Sequence, residues 1–303
     1  MTAADTSFED IYFTSRDGLR LHGRCYPAAG RSHGRPALCL PGLTRNGRDF
    51  HDLAVALSRH RVFPRTVYTF DYRGRGLSQS DPDWQNYTVP VEMLDVLDFM
   101  TVTGIADAAV IGTSRGGLIA ILMAAAQPTA IGAVVLNDIG PVIEHDGLLR
   151  ISGYVGRIPL PISWPDAARM MRDLNRRQFP HVPEAQWEEL ARQWYNERNG
   201  RPAPGYDQKL GNALSVLDGP LPALWPQFEA LKRVPVLVLR GENSDVLAEA
   251  TVEEMARRHP RLATVAVTGQ GHAPLLKDEQ TIEAVRHFLA AADARPALTA
   301  QVA

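Results

Sequence analysis

The chain of 303 residues contains only two cysteines, Cys25 and Cys39. Two cannot build a disulfide framework. With no Cys/His cluster at zinc spacing and no H-E-x-x-H, no metal site is expected either. Both lie in apolar, strand-like text and read as small buried hydrophobes. Long hydrophobic runs are also missing. The longest, GLIAILMAAA, covers 117 to 126 and falls well short of the ~20 apolar residues that a bilayer span needs. Charge of one sign is missing too: 32 Lys and Arg stand against 34 Asp and Glu, a net charge of -2. The arginines are scattered, so neither nucleic acid nor an acidic membrane surface is an expected partner. The opening MTAADTSFED is polar and acidic, unlike a signal peptide, and a cytoplasmic location is expected. No internal repeat is visible, and the hydrophobic (45%) and charged (22%) fractions are ordinary for a globular protein.

What is present is an alternation of two periodicities. IYFTSRDGLRLHGRCYP carries an Asp17-Gly18 turn between two strand-like runs, a hairpin signal. PALCLPG (36–42), RTVYTFDY (65–72), AAVIGT (108–113), IGAVVLND (131–138), VPVLVLRG (234–241) and RLATVAVTG (261–269) read as strands. Helical patterns fall between them, at 49–60, 89–104, 115–127, 247–259 and 278–292. Such alternation predicts a mostly parallel sheet with helices on both faces. Residues 142–228 break the rhythm: they carry helical text, proline-rich joints and four of the five tryptophans, Trp164, Trp187, Trp194 and Trp225, with no strand signal. The expected division is therefore an α/β core from 1–141 and 229–303 with a helical cap inserted at 142–228. The tail RPALTAQVA is expected to be mobile.

The stretch IGTSRGG places Ser114 where a strand hands over to a helix. Gly112, Ser114 and Gly116 fit G-x-S-x-G, a pattern that chance alone produces in about one chain in ten of this length. Its strand-to-helix context is what a nucleophile elbow requires; a plain helix N-cap serine is the competing reading. A serine hydroxyl needs a general base. His272 follows the last predicted strand, in a glycine-rich loop, and is the candidate. The other eight histidines are expected at the surface or at helix ends. Asp245, in RGENSDVL, follows the strand ending near Arg240 and is the candidate acid, with a helix N-cap as its competing role. Oxyanion donors are expected from the backbone N–H of Arg115 and, in LPGLTRNGRDF, of Leu43. Thr44, Ile139 and Trp187 are candidate pocket residues.

These elements together resemble the α/β-hydrolase fold family in its capped, serine-dependent branch, over nearly the whole chain. The order Ser114, Asp245, His272 matches the family's order. DYRGRGLS (71–78) is similar to the family's Asp-x-Arg-Gly-x-Gly-x-Ser loop, and GENSD and GHAP are similar to its acid and base loops. Pro41 departs from the pattern, since many members carry His before the oxyanion glycine. Serine at 114 disfavours the branch with an Asp nucleophile. Asp71, Arg73 and Arg75 read as structural braces at the sheet edge. Arg115 opposes the dipole of the helix it opens and so needs a carboxylate; Asp138, at the end of the neighbouring strand, is the expected partner.

The resemblance implies acyl transfer to water through an acyl-enzyme, without cofactor, and a small-molecule carboxylic ester is the expected substrate because it demands least beyond triad and oxyanion hole. Fold does not choose the bond. A lactone or carbon–carbon bond hydrolase with the same triad stays open, as does a slow-turnover ligand sensor. Oligomeric state is not legible. Trp187 and Trp194, seven positions apart on one predicted helix, share a face expected to meet the pocket or the underlying core.

Overall fold

The computed structural model describes residues 7–215 and 221–294. The expected mobile tail (295–303), the first six residues of the acidic opening, and the end of the helical text YDQKLGNALSVL lie outside the described residues.

The opening hairpin forms as its Asp-Gly turn predicts. Strands β1 (Glu9–Thr14) and β2 (Arg20–Tyr26) pair antiparallel, and Gly18 takes φ 91° in the turn, a conformation that glycine adopts at no steric cost. Then β3 (Ala37–Leu40), β4 (Val67–Asp71), β5 (Ala108–Thr113), β6 (Ile131–Asn137), β9 (Val236–Gly241) and β10 (Leu262–Val267) complete an eight-stranded sheet in the order β1-β2-β4-β3-β5-β6-β9-β10. β2 meets β4 antiparallel, and every later pairing is parallel.

The inner parallel strands are largely apolar because both sheet faces are covered there. Leu38, Leu40, Val110 and Leu136 face one cluster, beneath helices α2 (Val89–Thr103), α3 (Arg115–Ala126) and α9 (Glu249–Arg258). Cys39, Ile111 and Val135 face the other, beneath α1 (His51–Ser58) and α10 (Glu279–Asp293). Cys39 is fully buried, as expected of a small hydrophobe, and burial pushes its thiol far above the ordinary value.

Between β6 and β9 the chain leaves the sheet and builds α4 (His145–Tyr154), α5 (Trp164–Asn175), α6 (Gln186–Trp194), α7 (Leu210–Ser215) and α8 (Trp225–Glu229). The expectation of no strand here fails in one place. Asn196–Arg198 (β7) and Arg201–Ala203 (β8) form a short hairpin around Asn199-Gly200, both at positive φ. These strands are too short to carry an alternating pattern. Trp164, Met171, Phe179, Trp187 and Leu190 form the insert's own apolar cluster. The insert is tied to the core by polar contacts: Asn46 Nδ2 donates to the Gln193 carbonyl (2.9 Å), Asn196 Nδ2 to the Gly76 carbonyl (2.8 Å), and Tyr87 Oη to Asp207 (2.6 Å). No helix among the described residues is long and apolar enough to cross a membrane.

The DYRGRGLS loop braces the sheet edge through buried charge. Arg73, 1% exposed, donates to both oxygens of Asp95 (2.7 and 2.6 Å) and to Asp81 (2.6 Å) and Asp17 (2.8 Å). His22 is a correction to the expectation of surface histidines: it is buried, with Nδ1 2.8 Å from Asp71 and Nε2 2.9 Å from Asp10. His259 is buried too, its Nε2 2.9 Å from the Leu231 carbonyl. Each ring nitrogen finds a local partner, His259 Nδ1 accepting from the Arg261 N–H (3.1 Å), which is what allows a polar ring inside. Burial pushes the Asp71 carboxyl up, yet His22 and the N–H groups of Gly47 and Leu77 outweigh it and hold the group below the ordinary carboxylate value.

Replacing Arg73 with Met would leave Asp95 and Asp81 buried without their cation. Breaking such a pair from one side costs about 3–5 kcal/mol, so Arg73→Met should lower the guanidinium midpoint sharply while Lys277→Met, at a far more exposed ion pair, should move it little.

Candidate active site

Ser114 sits between β5 and α3 at φ 50°, ψ -113°. That backbone is strained for any residue with a Cβ and is held in place by close packing. A Cβ on Gly112 would lie 2.5 Å from the Gly116 carbonyl carbon, one on Gly116 would overlap the Leu40 carbonyl oxygen, and one on Gly117 would overlap Ile139 Cγ2. The serine side chain makes no cap hydrogen bond to the helix, so the N-cap reading fails. Its hydroxyl instead lies 2.8 Å from His272 Nε2.

His272 is brought there by the loop after β10. Its Nδ1 is 2.9 Å from Asp138 Oδ2. An ionised carboxylate only accepts, so Nδ1 carries the proton and Nε2 is left to accept from Ser114 Oγ. Asp138 is fully buried at the end of β6 with φ 57°. It also accepts from the Gly241 N–H (2.8 Å) and Ser244 Oγ (2.6 Å). Gln178, just after α5, accepts the His272 N–H (2.8 Å), and Asn137 Nδ2 donates to the Pro274 carbonyl (2.9 Å), so both ends of the histidine loop are pinned.

Two expectations are corrected together. Asp245 is not the partner of His272. It lies four residues past β9, where the loop has swung outward, and Arg150 on α4 takes both of its oxygens (2.5 and 2.8 Å). Burial raises the Asp245 carboxyl, but Arg150 outweighs this and keeps it below the ordinary value. Asp138 is not the partner of Arg115. Arg115 Nε pairs with Glu92 of α2 at 2.5 Å instead. The dipole argument asked correctly for a carboxylate and looked to the wrong element.

The sequence model of the Alpha/beta hydrolase family matches residues 37–285. The chain belongs to the alpha/beta hydrolase family. A crystal structure of an alpha/beta hydrolase from Novosphingobium aromaticivorans superposes with a TM-score of 0.86 at 40% identity, covering 94% of this chain and 98% of that one. The 3-hydroxybutyrate-oligomer hydrolase of Cupriavidus necator is 31% identical over 90% of this chain and 94% of its own length. The esterase YbfF of Escherichia coli is 26% identical over 89% of this chain and 99% of its own length.

In this hydrolase two cavities meet at Ser114. The larger, about 530 Å³, is apolar and is lined by Leu43, Arg115, Leu118, Ile139, Ile143 and Ala213 among others. Its size is that of an ordinary small-molecule site. The smaller, about 100 Å³, lies on the His272 side and is lined by Thr44, Arg45, Asn175, Gln193 and Trp194. Arg45 is held there by Asp49 (2.6 and 2.5 Å) and lies 3.5 Å over the Trp194 ring. Thr44 and Ile139 thus reach the cavities expected of them, one each. Trp187 does not. It faces the insert's own cluster, and its neighbour on the same helix face, Trp194, lines the pocket instead. Among the described residues, no group of three or more His, Cys, Asp or Glu side chains is placed to hold a metal ion.

The Asp245–Arg150 pair has a definite pH signature. A carboxyl lowered in the folded state contributes stability above its unfolded value of ~3.9, and loses it as pH falls through the lower folded value. Both partners are close to 30% exposed, which limits the contribution to about 1 kcal/mol. Asp245→Asn should lower stability by no more than about that at pH 7, and the difference from the unmutated protein should vanish in acid. Denaturant titrations at neutral and acid pH measure both.

Proposed function

We propose that this chain is a serine hydrolase of carboxylic esters, working through an acyl-enzyme on Ser114. The observation that carries the reading is the hydrogen-bonded chain Ser114–His272–Asp138 at the mouth of two cavities. In this mechanism His272 Nε2 takes the Ser114 proton as Oγ attacks the ester carbonyl. The electron pair moves onto the carbonyl oxygen, which the N–H groups of Leu43 and Arg115 receive. His272 then gives the proton to the departing alkoxide, and water repeats the sequence on the acyl-enzyme. Asp138 holds the tautomer and faces the imidazolium that forms. Residues 142–228 act as the cap that walls both cavities.

The two cavities divide the substrate. His272 must reach the leaving oxygen, so the alcohol portion belongs in the small arm that His272 lines, where Thr44, Arg45, Asn175 and Gln193 stand among apolar side chains such as Phe179 and Leu190. The acyl portion belongs in the large apolar arm beyond Arg115. An ester of an apolar acyl group with a small polar alcohol fits both. A hydroxy acid fits this arm as such an alcohol, its carboxylate within reach of Arg45, in keeping with the Cupriavidus necator relative, a 3-hydroxybutyrate-oligomer hydrolase.

Ser114→Ala should abolish turnover of a p-nitrophenyl ester, and Asp138→Asn should lower kcat by about 10³–10⁴, because Asn at this place favours the wrong tautomer. Asp245→Asn should keep kcat on the same small ester. A kcat loss that fell on Asp245 rather than Asp138 would overturn the assignment.

Acyl length gives a separate test. Each methylene buried contributes about 0.8 kcal/mol, so kcat/KM should rise by up to about fourfold per carbon from acetyl to hexanoyl. Ile143→Trp should remove that rise and leave acetyl esters unaffected. A flat profile, or a preference for acetyl, would sink the acyl-arm reading.

A further inference from the structure

Beneath the oxyanion donors lies a buried charge cluster that the mechanism above does not use. Glu92 of α2 is 0% exposed and binds two guanidinium groups at once: Arg75 Nη1 at 2.7 Å and Arg115 Nε at 2.5 Å. Each arginine continues to a backbone carbonyl. Arg75 Nε donates to the Leu43 carbonyl (2.9 Å), and Arg115 Nη2 to the Tyr87 carbonyl (3.0 Å). Leu43 and Arg115 are the two residues whose N–H groups face the reacting carbonyl in the reading above. The two loops that carry them come from different strands, β3 and β5, and Glu92 links them through only two side chains.

We propose that Glu92 is a positioning residue, which fixes Leu43 and Arg115 relative to each other so that their N–H groups converge on the oxyanion. This rests on the acyl-enzyme reading. Each arginine stands at a place that its motif leaves open. Arg75 occupies the variable place between the two glycines of DYRGRGLS, and Arg115 the variable place after Ser114 in G-x-S-x-G. Neither motif demands arginine there, and both arginines turn to one carboxylate.

The chemistry of the cluster suits the task. Burial alone raises the Glu92 carboxyl, but Arg115 and Arg75 outweigh it and hold the group below the ordinary value, so it stays ionised. Two cations and one anion leave one net positive charge next to the place where negative charge develops. Among the described residues Arg75 Nη2, the Tyr72 hydroxyl and Glu92 Oε1, all buried, make no hydrogen bond, so the Arg75 guanidinium is held by hydrogen bonds to the Leu43 and Arg73 carbonyls (2.9 and 2.7 Å) and by its ion pair with Glu92. Fixed donors and charge in a dry site act without reorganisation when the reaction occurs.

The test separates transition-state binding from ground-state binding. A hexyl trifluoromethyl ketone accepts Ser114 Oγ at its carbonyl carbon. The Oγ–C bond forms, the carbonyl π pair moves to oxygen, and the serine proton goes to His272, giving a tetrahedral oxyanion. The matching methyl ketone binds without adding. Glu92→Gln should weaken the trifluoromethyl ketone, and lower kcat, by roughly 30-fold, less than the 10²–10³ seen when a donor is removed outright. The methyl ketone and KM should stay within about threefold.

Equal loss for both ketones, or loss for neither, would overturn the proposal. If Glu92→Gln does not fold, Arg75→Lys carries the test. It keeps the charge, loses the Leu43 carbonyl bond, and should show the same selective loss. Failure of both variants to fold assigns the cluster to stability and overturns the positioning role. Wild-type protein that showed no Ser114-dependent preference for the trifluoromethyl ketone would refute the acyl-enzyme reading itself, a different outcome from the others.

Discussion

The left-handed turn at Ser114 is the constraint on which the site depends. A side-chain-bearing residue at φ 50° stores strain of order 1–3 kcal/mol, and the strain persists only because backbone approaches backbone on both sides. Leu40 of β3 reaches Gly116, Gly112 of β5 reaches the first turn of α3, and Ile139 after β6 reaches Gly117. Three adjacent parallel strands therefore converge on one residue. The sheet order β3-β5-β6-β9 supplies the Leu43 loop, Ser114, Asp138 and the Gly241 N–H that anchors that aspartate, in four neighbouring positions. The candidate site occupies a line across the sheet edge, and chain order matters little to it.

That geometry explains why an acid can stand after β6 rather than after β9. The two strands are neighbours in register, with Asn137 opposite Leu239. The carboxylate nearest the end of either strand can approach the base. Asp138 is the first residue past its strand and turns in at positive φ. Asp245 is four residues past its strand, and Arg150 draws it to the insert. The loop after β9 still serves the site, through the Gly241 N–H and the Ser244 hydroxyl on Asp138.

The fold and the approach of His272 to Ser114 were legible in the sequence because each rests on local pattern: apolar runs of strand length, glycines flanking a serine, a histidine in a glycine-rich loop after the last strand. What was not legible depends on which elements face one another. Glu92 stands in VPVEML, apolar text in which a single acid looks like an ordinary first-turn residue; its two arginines come from loops 17 and 23 positions away. His22 sits on a hairpin strand that alternation would place half in water, yet two carboxylates enclose it. Gln178 has no sequence signal at all. Trp187 and Trp194 do share a face, as their spacing requires, and both meet the insert's own cluster, but only Trp194, at the C-terminal end of the helix, also lines the pocket. Period tells which side chains travel together and not what they meet. The Arg115 dipole argument found a real need and, lacking the contact between α2 and α3, assigned it to the wrong carboxylate.

The hydrogen bond from the His272 N–H to Gln178 joins the loop after β10 to the segment just past α5. Asn243 Nδ2 donates to the Gln178 carbonyl (3.2 Å), so one residue of the insert bridges two core loops, the one bearing the base and the one bearing Ser244. The segment between β6 and β9 is thus tied, through one residue, both to the peptide that carries the imidazole and to the loop that steadies the Asp138 carboxylate. A displacement of that corner is felt by both loops at once.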